Sequence, residues 1–327
     1  MTTVKAQAFY RNHLLRDGIN QAIYDAMQID PSIYLFGEGA WVKARYDAPQ
    51  ILAEFRERIM TMPIAEDGSV NFAVGASLLG VKPVINLITS DFIYRAFDSI
   101  ANTAAKLNFV LPDNEPRRTI VIQAEFLLAG PTTGQRVEAL FAHVPGLNVV
   151  SPSTPNDAYG LMRTALVTPE VTMFFEDRNL LDSETQPKDA DGLGPAAIPF
   201  GQAIVRRRPK SPKLTLVTYG LMRQVVESAL LEVQDDTVTL IDLRTLYPID
   251  WSLVLASANG TGKVLIVEPD VTYGGIGAEI AATVAEKGLA NVARLGAPRE
   301  TIPASREGQA RMLPSREQIL EAIRGLV

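Results

Sequence analysis

Residues 63–80 read PIAEDGSVNFAVGASLLG, and Glu66 stands inside this apolar, small-residue run where the pattern predicts a partly buried strand end. Withdrawing a carboxylate from water is unfavourable enough to demand a hydrogen-bond partner or to raise its pKa until it protonates. A carboxylate at such a position therefore predicts either a structural hydrogen bond or an acid tuned for proton transfer. The structural alternative has a definite form: a helix N-terminal carboxylate accepting from the free backbone amides of Ser69 to Phe72.

Other chemistries find little support. The chain has 2 histidines, His13 and His143, with no HExxH or HxH frame for a metal. A nucleophile triad would need His143 as its base, and the setting FAHVPGL reads instead as a hydrogen-bonded packing residue before a turn. With 0 cysteines there is no disulfide, thiolate ligand or cysteine nucleophile. In GGIGAE at Gly274–Glu279 the third glycine of a GxGxxG loop would fall on Ile280, so the segment reads as a tight turn into a helix. No GxxxxGK[ST] occurs.

The elements that must position Glu66 follow from the patterning of 327 residues, of which 47% are hydrophobic and 21% charged. That is the composition of a folded chain with room for two α/β domains. Helical periodicity predicts Asn20–Ile29, Ile51–Ile59, Arg95–Val110 and Pro155–Val167, the last with Thr154 as N-cap, Pro155 at the first helical position and Asp157 in the first turn. Short β-branched runs predict strands at Ile33–Phe36, Val84–Ile88, Thr119–Ile122, Leu147–Val150 and Val171–Phe175. These runs are continuous rather than alternating, as burial on both faces requires. The expected fold is α/β, two doubly wound domains.

Between Arg178 and Pro199 the periodicity fails in a Pro-, Gly- and Asp-rich stretch. The expected division is residues 1–177, a linker at 178–200, and a second domain at 201–327. The second domain should contain strands Leu214–Thr218, Thr237–Ile241 and Val264–Val267, and helices Leu221–Val233, Gly275–Lys287 and Arg316–Leu326. A net charge of −6 argues against nucleic acid or an anionic membrane as partner, and the short basic run Arg206–Lys210 reads as a solvated loop. The N-terminus lacks the features of a signal peptide and no apolar run is long enough to span a membrane, so a cytoplasmic location is expected.

Five blocks occur in one order: PIAEDGSVNFAVGASLLGVKPV, DFIYRAFDSIANTAAKL, FAHVPGLNVVSPSTPNDAYGLMRTAL, IDLRTLYPID and GGIGAEIAA. From about Asn20 to Val327 the chain closely resembles the β subunit of the thiamine diphosphate-dependent 2-oxo acid dehydrogenase E1 component, of the transketolase-like superfamily. The resemblance implies a pyrimidine-binding transketolase-like domain followed by a transketolase C-terminal-like domain. It implies that Glu66 is catalytic, contacting N1′ of the cofactor's aminopyrimidine and controlling its proton. It places Phe92 against the aminopyrimidine ring, Ile88 in the apolar lining of the same pocket, and Glu38 of LFGEGA close to the cofactor.

The family's departures here fall on the expected substrate side. Thr133 stands where E1 β subunits usually carry a histidine, and Gln123 where they carry an arginine. Cofactor activation should be kept and substrate chemistry altered. The GDG…N motif that holds Mg²⁺ and diphosphate in this family is missing. The resemblance therefore implies an α-type partner carrying that motif, an α₂β₂ heterotetramer, and a cofactor shared between subunits. The implied activity is cleavage or decarboxylation of a 2-oxo acid or ketone, with the carbanion passed to a lipoyl arm of an acyltransferase or to an aldehyde. Open alternatives are a split transketolase-like or biosynthetic carboligase subunit and a catalytically silent structural partner.

Overall fold

The computed structural model describes residues 14–38, 49–181, 197–233 and 237–327. Twelve strands are named here in chain order: β1 (Ile33–Glu38), β2 (Ile59–Met62), β3 (Lys82–Thr89), β4 (Ile120–Phe126), β5 (Leu147–Val150), β6 (Val171–Asp177), β7 (Ile204–Arg207), β8 (Leu214–Thr218), β9 (Val238–Asp242), β10 (Thr245–Tyr247), β11 (Lys263–Val271) and β12 (Asn291–Ala297). They form two sheets with orders β10-β5-β6-β4-β3-β1-β2 and β12-β11-β8-β9-β7. All pairings are parallel except β10 on β5 and β7 on β9. Every residue of β4, β5, β6, β8 and β9 is buried, which is why their sequences run apolar without alternation.

The first sheet is backed by helix Leu15–Ile29 lying against helix Pro155–Val167. Their backbones touch at Gly18, where a Cβ would stand 2.2 Å from the Pro155 carbonyl oxygen. The second of these helices starts as its residues dictate: the Thr154 hydroxyl accepts from Asp157 N–H at 3.1 Å, and Pro155 occupies the first turn. Helices Leu221–Leu230, Ile276–Glu286 and Arg316–Leu326 cover the second sheet within a residue or two of expectation, apart from the earlier stop at Leu230.

Three expectations need correction. The expected helix Ile51–Ile59 is Pro49–Glu54, followed by a tight turn at Arg56–Arg58 and then β2. Arg58 pins that turn by donating to Met27 O at 2.7 Å and Asp30 O at 2.9 Å. It thereby caps the last carbonyls of helix Leu15–Ile29 and turns the chain into the sheet. The expected helix Arg95–Val110 begins as a 3₁₀ turn at Phe92 and passes through one wide turn at Ser99–Ala104 before its last α-helical stretch. The basic run is not a solvated loop at its start: Arg206 and Arg207 belong to β7, and Arg206 pairs with Asp157 and with Asp242 at 3.0 Å.

That ion network joins the two halves of the chain. Asp157 of the first sheet's helix also takes Arg244 at 3.2 Å, and Arg244 donates to Gln202 O at 2.7 Å. Burial alone would raise the Asp157 pKa, but Arg206 and Arg244 hold it below its ordinary value. β10 goes further, since this strand from the C-terminal half completes the first sheet, with Ser151 N–H donating to Arg244 O at 2.9 Å. Arg178–Leu181 form a helical turn with Leu180 and Leu181 buried, while 182–196, most of the expected linker, lie outside the described residues. No described helix is long and apolar enough to cross a membrane.

Candidate functional site

The carboxyl ends of β1, β2 and β3 lie side by side, with Glu38 opposite Met62 and Gly37 opposite Asn86. In open α/β sheets this edge is where loops and helix starts converge on a ligand. Glu38 is the last residue of β1 and is 1% exposed. One of its oxygens accepts from Ala65 N–H at 3.2 Å, and the other is buried with no hydrogen-bond partner. Burial, and then the nearby charge of Glu66, push the Glu38 carboxyl up to about 7.

Glu66 is not at a strand end. β2 stops at Met62, before Pro63, which offers no N–H to a ladder, and Glu66 is the first residue of helix Glu66–Leu78. The signal for this start was the acidic pair Glu66–Asp67, suited to the positive end of the helix dipole. The two acids differ in their bonds. Asp67 takes the Ser99 hydroxyl, which in turn accepts from Asn71 Nδ2 at 2.7 Å. Half-buried Glu66 makes no hydrogen bond to any described residue and does not cap the amides of Ser69 to Phe72. A carboxylate beside a second, buried carboxyl, with no described residue to satisfy it, is available to a ligand.

The other expected residues arrive at the same edge. Ile88 lies in β3 at a bulge against β4, between the pairs Asn86–Gln123 and Thr89–Glu125. Its φ is +63°, a region β-branched residues rarely occupy, and its N–H donates to Asn86 Oδ1 at 3.0 Å. Such backbone strain is of order 1–3 kcal/mol and persists where surroundings enforce it. Phe92 opens the next turn, 38% exposed, and its ring meets no other ring among the described residues. Helix Glu66–Leu78 packs on both β3 and this turn, so the elements that carry Glu66, Ile88 and Phe92 adjoin one another.

Thr133 is brought close through a residue that sequence reasoning missed. Asp91, next to Phe92, accepts from Gly134 N–H, from Gln135 N–H at 3.2 Å and from Gln135 Nε2 at 2.6 Å. Ser90 Oγ adds a bond to Gln135 O at 3.1 Å. The Gly130–Thr133 turn is thus tethered to the segment that carries Phe92. Only the position of Asp91, just after an apolar strand, hinted at this clamp.

Gln123 corrects an expectation. It does not face an open substrate side but sits fully buried in β4, its amide donating to Glu176 Oε1 of β6 at 2.7 Å. His143 corrects another: it is exposed at the end of helix Glu138–Ala142 rather than packed. His13 lies outside the described residues. Gly274–Glu279 does form a tight turn into a helix, with Gly277 N–H donating to Glu268 Oε2 at 2.8 Å. Among the described residues no group of three or more acidic or histidine side chains could hold a metal.

Residues 13–183 match the transketolase pyrimidine-binding domain and residues 201–319 the transketolase C-terminal domain, so the fold and its site define a transketolase-type protein. The chain belongs to the family of 2-oxo acid dehydrogenase E1 β subunits. It is 32% identical over 325 residues to the mitochondrial 2-oxoisovalerate dehydrogenase subunit beta 2 of Arabidopsis thaliana, covering 96% of this chain and 88% of that protein. It is 32% identical over 327 residues to the acetoin:2,6-dichlorophenolindophenol oxidoreductase subunit beta of Cupriavidus necator, covering 94% and 95%. To the 2-oxoisovalerate dehydrogenase subunit beta of Bacillus subtilis it is 33% identical over 307 residues, covering 88% and 89%. Among solved structures a split-gene transketolase, described as an inactive β4 tetramer, shares the fold with TM-score 0.80 at 21% identity, covering 96% of this chain and 98% of that one.

Proposed function

We propose that this chain is the β-type subunit of a heteromeric thiamine diphosphate-dependent enzyme that cleaves or decarboxylates a 2-oxo acid or related ketone. The observation that carries the reading is the half-buried Glu66 carboxylate, unsatisfied by any described residue and set beside the buried carboxyl of Glu38. The residues at this edge suit an aminopyrimidine: a free carboxylate for a ring nitrogen, an unstacked half-exposed aromatic at Phe92, and an apolar side chain at Ile88. When bound, thiamine diphosphate supplies the electron sink for breaking the bond next to the substrate carbonyl. Glu66 holds a proton at the pyrimidine nitrogen and orients the ring. Glu38, held near neutrality by burial, keeps a proton within reach of that pair.

The chain works with an α-type subunit that holds the diphosphate and Mg²⁺, in a heterotetramer located in the cytoplasm. The reading on the acceptor follows from position 133. A threonine hydroxyl does not exchange protons near neutral pH, so acid–base work on the substrate falls to other groups. The test is to co-express the chain with the neighbouring gene product that carries GDG…N. The reconstituted pair should bind thiamine diphosphate with Mg²⁺ in a calorimeter and release CO₂ from a branched or short 2-oxo acid. A pair that assembles yet binds no cofactor would make the chain a silent partner. Turnover only with an aldehyde acceptor and a ketose donor would instead make it a transketolase-type subunit.

A further inference from the structure

Where the strand ends of the two sheets face each other, the chain encloses a cavity of about 530 Å³ that includes none of Glu38, Glu66, Ile88 or Phe92. From the first domain it takes Tyr94, Phe126, Leu128 and the segment Gly134–Arg136, and from the second Pro269–Val271, Ile302, Met312 and Leu313. Its size is that of a small-molecule site, and its walls present polar and apolar groups in about equal measure.

The charges inside are unequal in their pairing. Arg136 is committed: it pairs with Asp177 and with Glu138 at 3.3 Å, and its guanidinium lies 4.0 Å from the centre of the Phe126 ring. Asp177 also accepts from Asn179 N–H at 3.0 Å. At the rim, exposed Arg299 sits 5.2 Å from the ring centre of exposed Tyr273, with Glu300 next to it. Asp270 is different. It is 4% exposed, lines the cavity, and one of its oxygens accepts from its neighbour Val271 N–H at 2.7 Å. Its other oxygen accepts no hydrogen bond from any described residue, and no described cation forms an ion pair with it. Burial raises the Asp270 pKa, opposed by the Val271 N–H bond and by the field of Arg136.

We infer that this cavity is a second binding site, selective for a small organic ammonium ion whose apolar body fills the space between Phe126, Ile302 and Met312 and whose charged head meets Asp270. An anion entering here would approach Asp270, Glu300 and the buried Glu138 behind Arg136; of the described cations lining the cavity, Arg136 is already paired and Arg299 is exposed next to Glu300. A neutral apolar molecule would bury the same area but leave the Asp270 oxygen unsatisfied, a penalty the ammonium removes.

The test titrates the full chain calorimetrically with three probes of one apolar length: n-hexylamine, hexan-1-ol and hexanoate. The amine is expected to bind saturably at one site per chain, the alcohol at least about tenfold more weakly, and hexanoate not at all; the tenfold margin is the size of one buried charge-assisted hydrogen bond. Asp270→Asn should abolish the preference for amine over alcohol. Ile302→Trp and Met312→Trp crowd the apolar wall without altering the carboxylate, and each should lose amine binding. Hexanoate binding as tightly as the amine, an amine preference that survives in Asp270→Asn, or tight amine binding by both tryptophan variants would overturn the assignment. So would a wild-type chain with no saturable amine binding.

Discussion

Glu38→Gln isolates the energetic consequence of burying a carboxyl beside Glu66. The Glu38 pKa rises from an ordinary 4.5 to about 7, first through burial and then through the Glu66 charge. At about 1.4 kcal/mol per tenfold change in proton affinity, that shift is worth about 3 kcal/mol. The sign follows from proton uptake. Between the two pKa values the folded chain holds the proton that the unfolded chain has lost, so folding is favoured at low pH and this contribution disappears as pH rises through about 7. Glutamine keeps an oxygen to accept from Ala65 N–H but does not titrate. Relative to wild type, Glu38→Gln should therefore gain stability as pH rises from 5 and level off above about 7, by up to about 3 kcal/mol. Urea midpoints of the two proteins across that range give the difference, in which contributions common to both cancel. Glu66→Gln removes the like charge but not the burial, so it should shrink the pH-dependent window without closing it. A wild-type minus Glu38→Gln difference that stays flat across the range would refute the reasoning.

Two further perturbations test how the site is held. Asp91→Asn presents an amide to the donors of Gly134 and Gln135, so amide hydrogen exchange at 130–136 should quicken and stability should fall by about 1–3 kcal/mol. Exchange unchanged in that segment would show that the clamp does not hold the turn. Arg206→Met strips Asp157 and Asp242 of a shared counterion across the seam between the halves of the chain. The expected loss is about 3–5 kcal/mol, read from denaturant unfolding, and a loss below about 1 kcal/mol would show the network to be incidental.

Much of the fold was legible because local and tertiary preferences agree. Thr154, Pro155 and Asp157 announce a helix start within four consecutive residues, and the structure begins that helix at Pro155. Leu147–Val150 and Leu214–Thr218 are strands to the residue, since a buried parallel strand must be apolar throughout. Helix Glu66–Leu78 was hidden for the opposite reason. It is rich in small residues and leaves Phe72 and Leu78 about half exposed, at 44% and 45%, so no single apolar stripe marks its buried face. β10 was equally invisible, because a three-residue strand joins a sheet whose other members come from the far half of the chain.

The candidate site divides in the same way. The choice of Glu66, Glu38, Ile88 and Phe92 came from resemblance, whereas their meeting at one sheet edge is a property of β1, β2 and β3 running parallel. The positive φ of Ile88 and the Asp91 clamp depend on a bulge and a loop that no periodicity encodes. The role of Arg206 was misread because its partners lie 49 and 36 residues away in sequence.

The central claim is that the Glu66 carboxylate serves a cofactor and not the fold. Its direct measurement is the turnover of Glu66→Gln in the reconstituted heteromer, beside the same variant's assembly and thermal midpoint. Because no described residue bonds Glu66 and its charge only repels Glu38, assembly should match wild type and the midpoint should be no lower, while cofactor-dependent turnover should fall by about 10²–10⁴-fold, the range for losing a positioned proton-transfer group. Turnover within a few-fold of wild type, or a collapse of stability in its place, would contradict it.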